Sequence, residues 1–309
     1  MTSKLPKVLH VYQNHTIDST RWHHYKPRED DVIVATSYKS GTTWMQHIVN
    51  ELIFLGQSVP NMWEVAFWLD SRFHPNVQER IDIIEAQQHR RSLKTHLALD
   101  GLPFYPQVKY IVVARDVRDV FMSWWNHYSN YTDEMYERTN NLPGRVGPPL
   151  PRCPEDIHLY WRQWISQGWF EWEIEGYPQW GNMHHTQSWW NYRHLDNILF
   201  VHFNDLLADL PGEIKRVATF LNIAVTAEDV EAVEQAVQFD VLRQQATADP
   251  QAGTDTWKGG MATFFHRGTN GRWCDVLSAA EIAMYEATAT KVLTPACQRW
   301  LEQGRIALG

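Results

Sequence analysis

The stretch VIVATSYKSGTTW, residues 32–44, decides the fold. It opens with a β-branched apolar run, which predicts a buried strand over residues 31–36. A small polar turn follows, and apolar residues with helical spacing then predict a helix from Thr42 to about Leu55. This order brings free backbone N–H groups and the positive end of a helix dipole to one point, which predicts an anion site. Gly41 lets the backbone approach an anion closely, and Lys39 adds a full positive charge.

The turn differs from the Walker A loop, whose pattern is G-x-x-x-x-G-K-[ST]. Lys39 precedes Gly41 instead of following it, and Thr36 stands where that loop has its first glycine. The turn is therefore an anion site of another kind. Further hydroxyl donors come from three of its residues: Ser40, Thr42 and Thr43.

Composition restricts the class of protein. The chain has 309 residues, of which 44% are hydrophobic and 21% charged, as in a globular protein with one large core. A net charge of −8 argues against a nucleic-acid partner. The three cysteines lie far apart, so neither a disulfide framework nor a zinc site is predicted, and no apolar run reaches the roughly 20 residues of a membrane span. We expect a single domain over residues 1–309 in the cytoplasm.

Strands and helices alternate along the chain. Further buried strands are predicted at 92–97, 109–115 and 198–203, and the Pro- and Gly-rich stretch 140–154 is predicted to be a loop. This alternation predicts an α/β fold with a parallel sheet flanked by helices, and ligands at the carboxyl ends of the strands. The other predicted helices are 80–91, 117–128, 154–173, 187–195, 210–221, 227–242 and 279–301.

A second anion site is predicted after the strand at 109–115. Arg115 ends this strand, and Ser123 follows two turns into the next helix. Arginine is a bidentate phosphate donor, and a serine hydroxyl adds one bond. Since Arg115 occupies the place of a Walker B aspartate and Asp116 comes one position late, we expect an anion here and no metal.

Two of these segments resemble a known family. SYKSGTTW (37–44) resembles the 5′-phosphosulfate loop of the cytosolic-type sulfotransferases that use 3′-phosphoadenosine 5′-phosphosulfate (PAPS), in which proline is usual at Tyr38. YIVVARDVRDVFMS (110–123) resembles their 3′-phosphate motif. The resemblance covers roughly residues 30–275. It implies the P-loop-like PAPS sulfotransferase fold, with PAPS as donor, PAP (3′,5′-adenosine bisphosphate) as product, and Arg115 and Ser123 on the 3′-phosphate.

The segment FFHRGTNGRW, residues 264–273, resembles the family's third phosphate-binding segment. By this resemblance Arg267 and the backbone of Gly268 close over the 3′-phosphate. His266 stands where the family usually has arginine, and Arg272 where it usually has aspartate. We expect the first change to weaken the contact or make it sensitive to pH.

The resemblance also assigns the adenine site. Gln238-Phe239 falls where the family stacks a phenylalanine on adenine, and Trp44 would take the other face of the base. Phe203 stands where relatives often have a tyrosine that reaches the nucleotide, so that polar contact is not predicted here. We find no copy of the short C-terminal dimerisation motif of the cytosolic branch, and no oligomeric state is predicted.

His96 is the predicted catalytic base. The segment KTHL, residues 94–97, matches the family's catalytic histidine segment. A neutral imidazole is suited to take a hydroxyl proton near neutral pH. Lys94 and Lys39 would neutralise charge on the sulfuryl oxygens and on the bridging oxygen. Because a sulfuryl group carries less charge than a terminal phosphoryl group, no metal is predicted.

The acceptor site is less well defined by the sequence. Residues 129–185 match the family least and are predicted to form a lid over the acceptor. Seven tryptophans lie between Trp161 and Trp190, and we expect most of them to pack in the core. The alternative is an aromatic wall around an apolar, aromatic or sugar-like acceptor alcohol.

Three functions remain open at this point. The first is in-line transfer of a sulfuryl group from PAPS to a hydroxyl, less readily to an amine, of a small acceptor. The second is a P-loop kinase acting on a small molecule, which would require Mg²⁺ and ATP. The third is a non-catalytic tryptophan-rich protein that binds carbohydrates or aromatic molecules, which would not need Lys39, Arg115 and Arg267 to meet.

Overall fold

The structure, a computed structural model, describes residues 5–308. Within this range the sheet has five strands, all parallel, in the order β2-β3-β1-β4-β5. The predicted α/β fold is therefore confirmed, with β1 at the centre of the sheet. The strands are β1 (Val32–Thr36), β2 (Ala66–Trp68), β3 (Ser92–Thr95), β4 (Lys109–Ala114) and β5 (Ile198–His202).

Helices cover both faces of the sheet. Along β1, Ile33 and Ala35 pack into one hydrophobic cluster, and Val32 and Val34 pack into the other. This alternation follows from the pleat of a strand buried on both faces. The helices are α1 (Thr42–Ile53), α2 (Met62–Val65), α3 (Val77–Ala86), α4 (Val117–Ser129), α5 (Asp133–Asn140), α6 (Ile157–Ser166), α7 (Asn182–Trp190), α8 (Phe203–Ala208), α9 (Leu210–Phe220), α10 (Ala227–Ala236), α11 (Phe239–Ala246), α12 (Met261–Phe264), α13 (Ala279–Val292) and α14 (Pro295–Gln303). Short 3₁₀ turns occur at Ser19–His24, Leu99–Gly101, Arg272–Asp275 and Ile306–Leu308.

Several predicted helix bounds were wrong. The helix predicted at 279–301 is two helices, because Pro295 lacks the N–H that a continuous helix needs and instead opens α14. The helix predicted at 227–242 divides at Val237 and Gln238. The helix predicted at 154–173 is confined to α6, and those predicted at 80–91 and 187–195 are shifted towards the N-terminus. Strand β2 was not predicted.

The tryptophans between 161 and 190 serve mainly the core, as expected. Trp161, Trp164 and Trp189 are fully buried among the helices on one face of the sheet. Trp180 differs, since it also lines the cavity described below. The core interpretation therefore holds for most of the cluster, and the aromatic-wall alternative stays a prediction for Trp180.

Candidate active site

A cavity of about 630 Å³ opens at the carboxyl ends of β1, β3 and β4. All but one of the residues predicted to bind the donor or to act in catalysis line it. Ser40 is the exception, since its side chain is buried and its hydroxyl donates to the carbonyl of Tyr38. The predicted residues that line the cavity are Lys39, Gly41, Thr42, Thr43, Trp44, Lys94, His96, Arg115, Ser123, Phe239, His266, Arg267 and Gly268.

The turn between β1 and α1 has a backbone that few residues adopt. Lys39 has φ 60° and Gly41 has φ 105°. A Cβ added at Gly41 would lie 3.0 Å from the ring of Phe203 and would strain the turn as well. The hydroxyls of Thr36 and Thr42 are 2.5 Å apart and tie the end of β1 to the start of α1. The first turn of α1, whose N–H groups have no partner within the helix, therefore lies at the cavity.

The cavity concentrates positive charge in a chain of net negative charge. Burial, with repulsion from Arg115, Lys94 and Arg272, lowers the pKa of Lys39 to about 7. Burial lowers the pKa of Lys94 to about 8, and that of Arg115 to about 10. Repulsion and poor hydration destabilise these cations, and a bound anion would remove this penalty. The electrostatics thus favour a polyanionic ligand.

Arg115 joins the end of β4 to the segment 264–273. Its Nε donates to Oδ1 of Asn270 at 2.8 Å, and one terminal nitrogen donates to the carbonyl of Thr269 at 2.8 Å. Its guanidinium also lies 4.3 Å from the ring centre of Phe203. Ser123 lines the same cavity from α4. The structure therefore brings both residues of the predicted second anion site to one cavity.

The segment 264–273 approaches the cavity through a left-handed glycine. Gly268 has φ 64°, and a Cβ there would lie 3.0 Å from the ring of Phe239. Arg272 also lines the cavity, and its Nε is buried without a hydrogen-bond partner among the described residues. Burial, with repulsion from Arg272 and Arg267, lowers the pKa of His266. Arg272, noted above only as a departure from the family, thus adds a cation to the site.

His96 is held in one tautomer. Its Nδ1 lies 2.8 Å from the carbonyl oxygen of Thr36. A carbonyl only accepts, so the proton is on Nδ1 and the lone pair is on Nε2. Burial and the neighbouring Lys94 hold the pKa of His96 well below its ordinary value, so the ring is neutral. The rings of Trp68 and Trp180 lie 4.8 Å and 5.6 Å from that of His96.

Sequence reasoning missed His127. Its Nδ1 lies 3.4 Å from Nζ of Lys39, and it lines the cavity from α4. Burial, with repulsion from Lys39 and Lys94, holds the pKa of His127 well below its ordinary value. The sequence did contain one indication of its position. His127 follows Ser123 by four residues, so the two side chains lie on the same face of the predicted helix.

Within residues 5–308, no cluster of three or more histidine, cysteine, aspartate or glutamate side chains is arranged to hold a metal ion. No helix in this range combines the length and apolarity needed to cross a membrane.

Comparison with known proteins gives a family match across most of the chain. The sulfotransferase domain family matches residues 29–295. A glycolipid sulfotransferase of Mycobacterium tuberculosis is 31% identical over 309 residues, which cover 96% of this chain and 94% of the relative. Sulfotransferase 1A1 of Rattus norvegicus is 24% identical over 274 residues, which cover 86% of this chain and 85% of the relative.

Solved structures show the same fold. Mouse sulfotransferase SULT7A1 complexed with PAP gives a TM-score of 0.68 at 17% identity and covers 96% of both chains. Retinol dehydratase in complex with androsterone and PAP gives a TM-score of 0.64 at 22% identity, covering 87% of this chain and 82% of that chain.

Proposed function

Because this chain belongs to the sulfotransferase family, we propose that its cavity binds PAPS and transfers the sulfuryl group to a hydroxyl of a small-molecule acceptor. One observation is the main support for PAPS as the donor. Lys39, Arg115 and Arg267 come from three distant segments and line one cavity beside His96. A donor with separate 5′ and 3′ anions uses all three cations.

The residues present fit such a donor. In this proposal the turn 39–44 binds the 5′-phosphosulfate, and the 3′-phosphate is bound by Arg115, Ser123, Arg267 and the Gly268 backbone. His266, beside Arg267, would take part in the same contact. The indole of Trp44 and the phenyl ring of Phe239 both line the cavity and offer faces for adenine.

His96 supplies the base in this proposal. Its Nε2 lone pair accepts the proton of the acceptor hydroxyl, while the bond from Nδ1 to Thr36 keeps the ring in place. Lys39 and Lys94 stabilise the negative charge that develops on the sulfuryl oxygens and on the departing bridging oxygen. Water exclusion by the aromatic rings around His96 strengthens both effects.

We propose that the acceptor binds beside His96, next to residues of the predicted lid. Lid residues that line the cavity include Tyr131, Met135 and Leu150, and Phe73 and Trp257 line it as well. We propose a small alcohol with an apolar, aromatic or sugar-like body, and an amine less readily. The relative from Mycobacterium tuberculosis is named for a glycolipid, which supports the sugar-bearing end of this range. We also propose a cytoplasmic location, on the grounds of three unpaired cysteines.

Incubation with PAPS and a small panel of alcohols tests the proposal. Mass spectrometry should detect a sulfated product, and the reaction should form PAP in equal amount. ATP with Mg²⁺ in place of PAPS should give no phosphorylated product. Phosphorylation, or the absence of any product together with failure to bind PAP, would contradict the proposal.

A further inference from the structure

Arg272 is a cation of the cavity that the fold does not pair with a carboxylate. It is only partly buried and lines the cavity. Among residues 5–308 its guanidinium forms one hydrogen bond, from a terminal nitrogen to Nδ1 of His266 at 3.4 Å, and no salt bridge. Arg118, by contrast, does not line the cavity and forms a salt bridge with Asp116 at 2.6 Å. The charge of Arg272 is therefore available to a ligand.

This charge lies close to Arg115. Burial is the main cause of the lowered pKa of Arg115, and repulsion from Arg272 adds to it. The two arginines are also connected through one short segment, because Arg115 donates to the carbonyl of Thr269 and to the side chain of Asn270, which come shortly before Arg272 in the chain. Arg272 therefore belongs to the second anion site.

Arg115 alone has few donors left for an anion. A guanidinium has five N–H groups. Arg115 donates from Nε to Asn270 and from one terminal nitrogen to Thr269, both at 2.8 Å. Its other terminal nitrogen lies 3.5 Å from the carbonyl oxygen of Lys39. Since a phosphate group presents three strong acceptor oxygens, the site needs donors from further residues.

Arg272 also sets the tautomer of His266. A guanidinium only donates, so His266 accepts at Nδ1 and carries its proton on Nε2. Burial, with repulsion from Arg272 and Arg267, lowers the pKa of His266, so the ring is neutral. Because His266 lines the cavity, its Nε2–H is a further donor for an anion there.

We propose that Arg272 binds the 3′-phosphate of the donor together with Arg267, and that it orients His266 to donate to the same phosphate. Arg272 is then one of the residues that make the site prefer PAP to AMP. This inference rests on the proposed sulfotransferase function and deepens its donor specificity.

Titration with PAP and with AMP tests this role, because the two nucleotides differ only in the 3′-phosphate. Arg272→Ala should lower the affinity for PAP by about 10- to 100-fold, as expected for loss of a hydrogen bond between charged groups. The affinity for AMP should stay within about twofold, since AMP lacks the group that Arg272 binds. Arg272→Gln keeps most of the side-chain length without the charge and should lose most of the preference as well.

Arg243→Ala is the matched control. Arg243 is exposed in α11, does not line the cavity, and is one of the cations that, besides burial, lower the pKa of His266. Its loss should leave the preference for PAP within about twofold, because water and salt screen an exposed charge.

A second-site variant tests the position of the charge. Adding His266→Arg to Arg272→Ala should restore much of the affinity for PAP, because position 266 lies next to the guanidinium that is lost.

An unchanged preference for PAP in Arg272→Ala and Arg272→Gln would overturn the role of Arg272, while the preference of the wild type upheld the proposed donor. An equal loss of affinity for PAP and AMP in these variants would also overturn it, because it would show a structural effect on the whole site. Equal affinity of the wild type for PAP and AMP would overturn both the role of Arg272 and the proposed donor.

Discussion

Nζ of Lys39 lies 3.4 Å from Nδ1 of His127 inside the cavity. An ammonium group only donates, so His127 accepts at Nδ1 and carries its own proton on Nε2. Burial and nearby cations lower the pKa of Lys39 to about 7. The ligand-free lysine is therefore only partly charged near neutral pH, with His127 as a neutral partner.

Affinity for PAP should depend on pH because of Lys39. A bound anion stabilises the charged lysine and so raises its pKa. Below about pH 7 the lysine is already protonated and affinity should be constant, whereas above it binding must take up a proton and affinity should fall. Calorimetry between about pH 6 and about pH 9, repeated in buffers of different ionisation enthalpy, measures both effects. Constant affinity without proton uptake would contradict the assignment of Lys39.

His127→Phe should move this fall in affinity to lower pH. The imidazole accepts a hydrogen bond from the charged form of Lys39 and so favours it, and a phenyl ring of similar size does not. The same titrations measure the midpoint. His89→Phe is the control, because His89 does not line the cavity and bonds to the carbonyl of Arg90. An unchanged midpoint in His127→Phe would show that His127 does not influence Lys39.

Lys39→Ala should impair both donor binding and turnover. The substitution removes the main counter-charge at the start of α1, and the expected loss in transition-state stabilisation is about 2–4 kcal/mol. Steady-state kinetics with PAPS and PAP titration measure the two effects. Lys215→Ala, at an exposed position of α9, should change neither. Wild-type turnover in Lys39→Ala would show that the turn does not hold the transferred group.

His96→Asn should abolish transfer while PAP affinity stays nearly intact. The base faces the acceptor, and loss of a general base lowers kcat by about 10²- to 10⁴-fold. Single-turnover rates and PAP titrations separate these two readouts. Wild-type activity should also survive EDTA. Full kcat in His96→Asn, or strict dependence on added Mg²⁺, would contradict the proposed chemistry.

Motifs that combine an apolar strand with a polar end were predictable from the sequence. Residues 32–44 and 109–123 each contain an apolar run typical of a buried strand, followed by residues suited to binding anions. Because the strands are parallel, their carboxyl ends lie at the same edge of the sheet. The predicted proximity of Lys39, His96 and Arg115 followed from this rule, and these residues do line one cavity.

The residues that line the cavity from loops could not be predicted in this way. Gln179 lies in a loop without periodicity, so no sequence pattern indicates that it lines the cavity. Strand β2 has only three residues, too few for an apolar pattern to emerge. The break between α13 and α14, in contrast, was indicated by the sequence, because proline is common at the first position of a helix and Pro295 opens α14.

The 3′-phosphate distinguishes PAPS from ATP and from adenylyl sulfate, so its recognition tests the proposed donor most directly. Paired titrations should show that the wild type binds PAP far more tightly than AMP, because AMP brings no 3′-anion to compensate the buried charge of Arg115. Arg115→Ala should remove most of this preference, and Ser123→Ala a smaller part, since a neutral hydroxyl contributes less than a charged guanidinium. Equal affinity of the wild type for PAP and AMP would contradict the second anion site and the PAPS-dependent function with it.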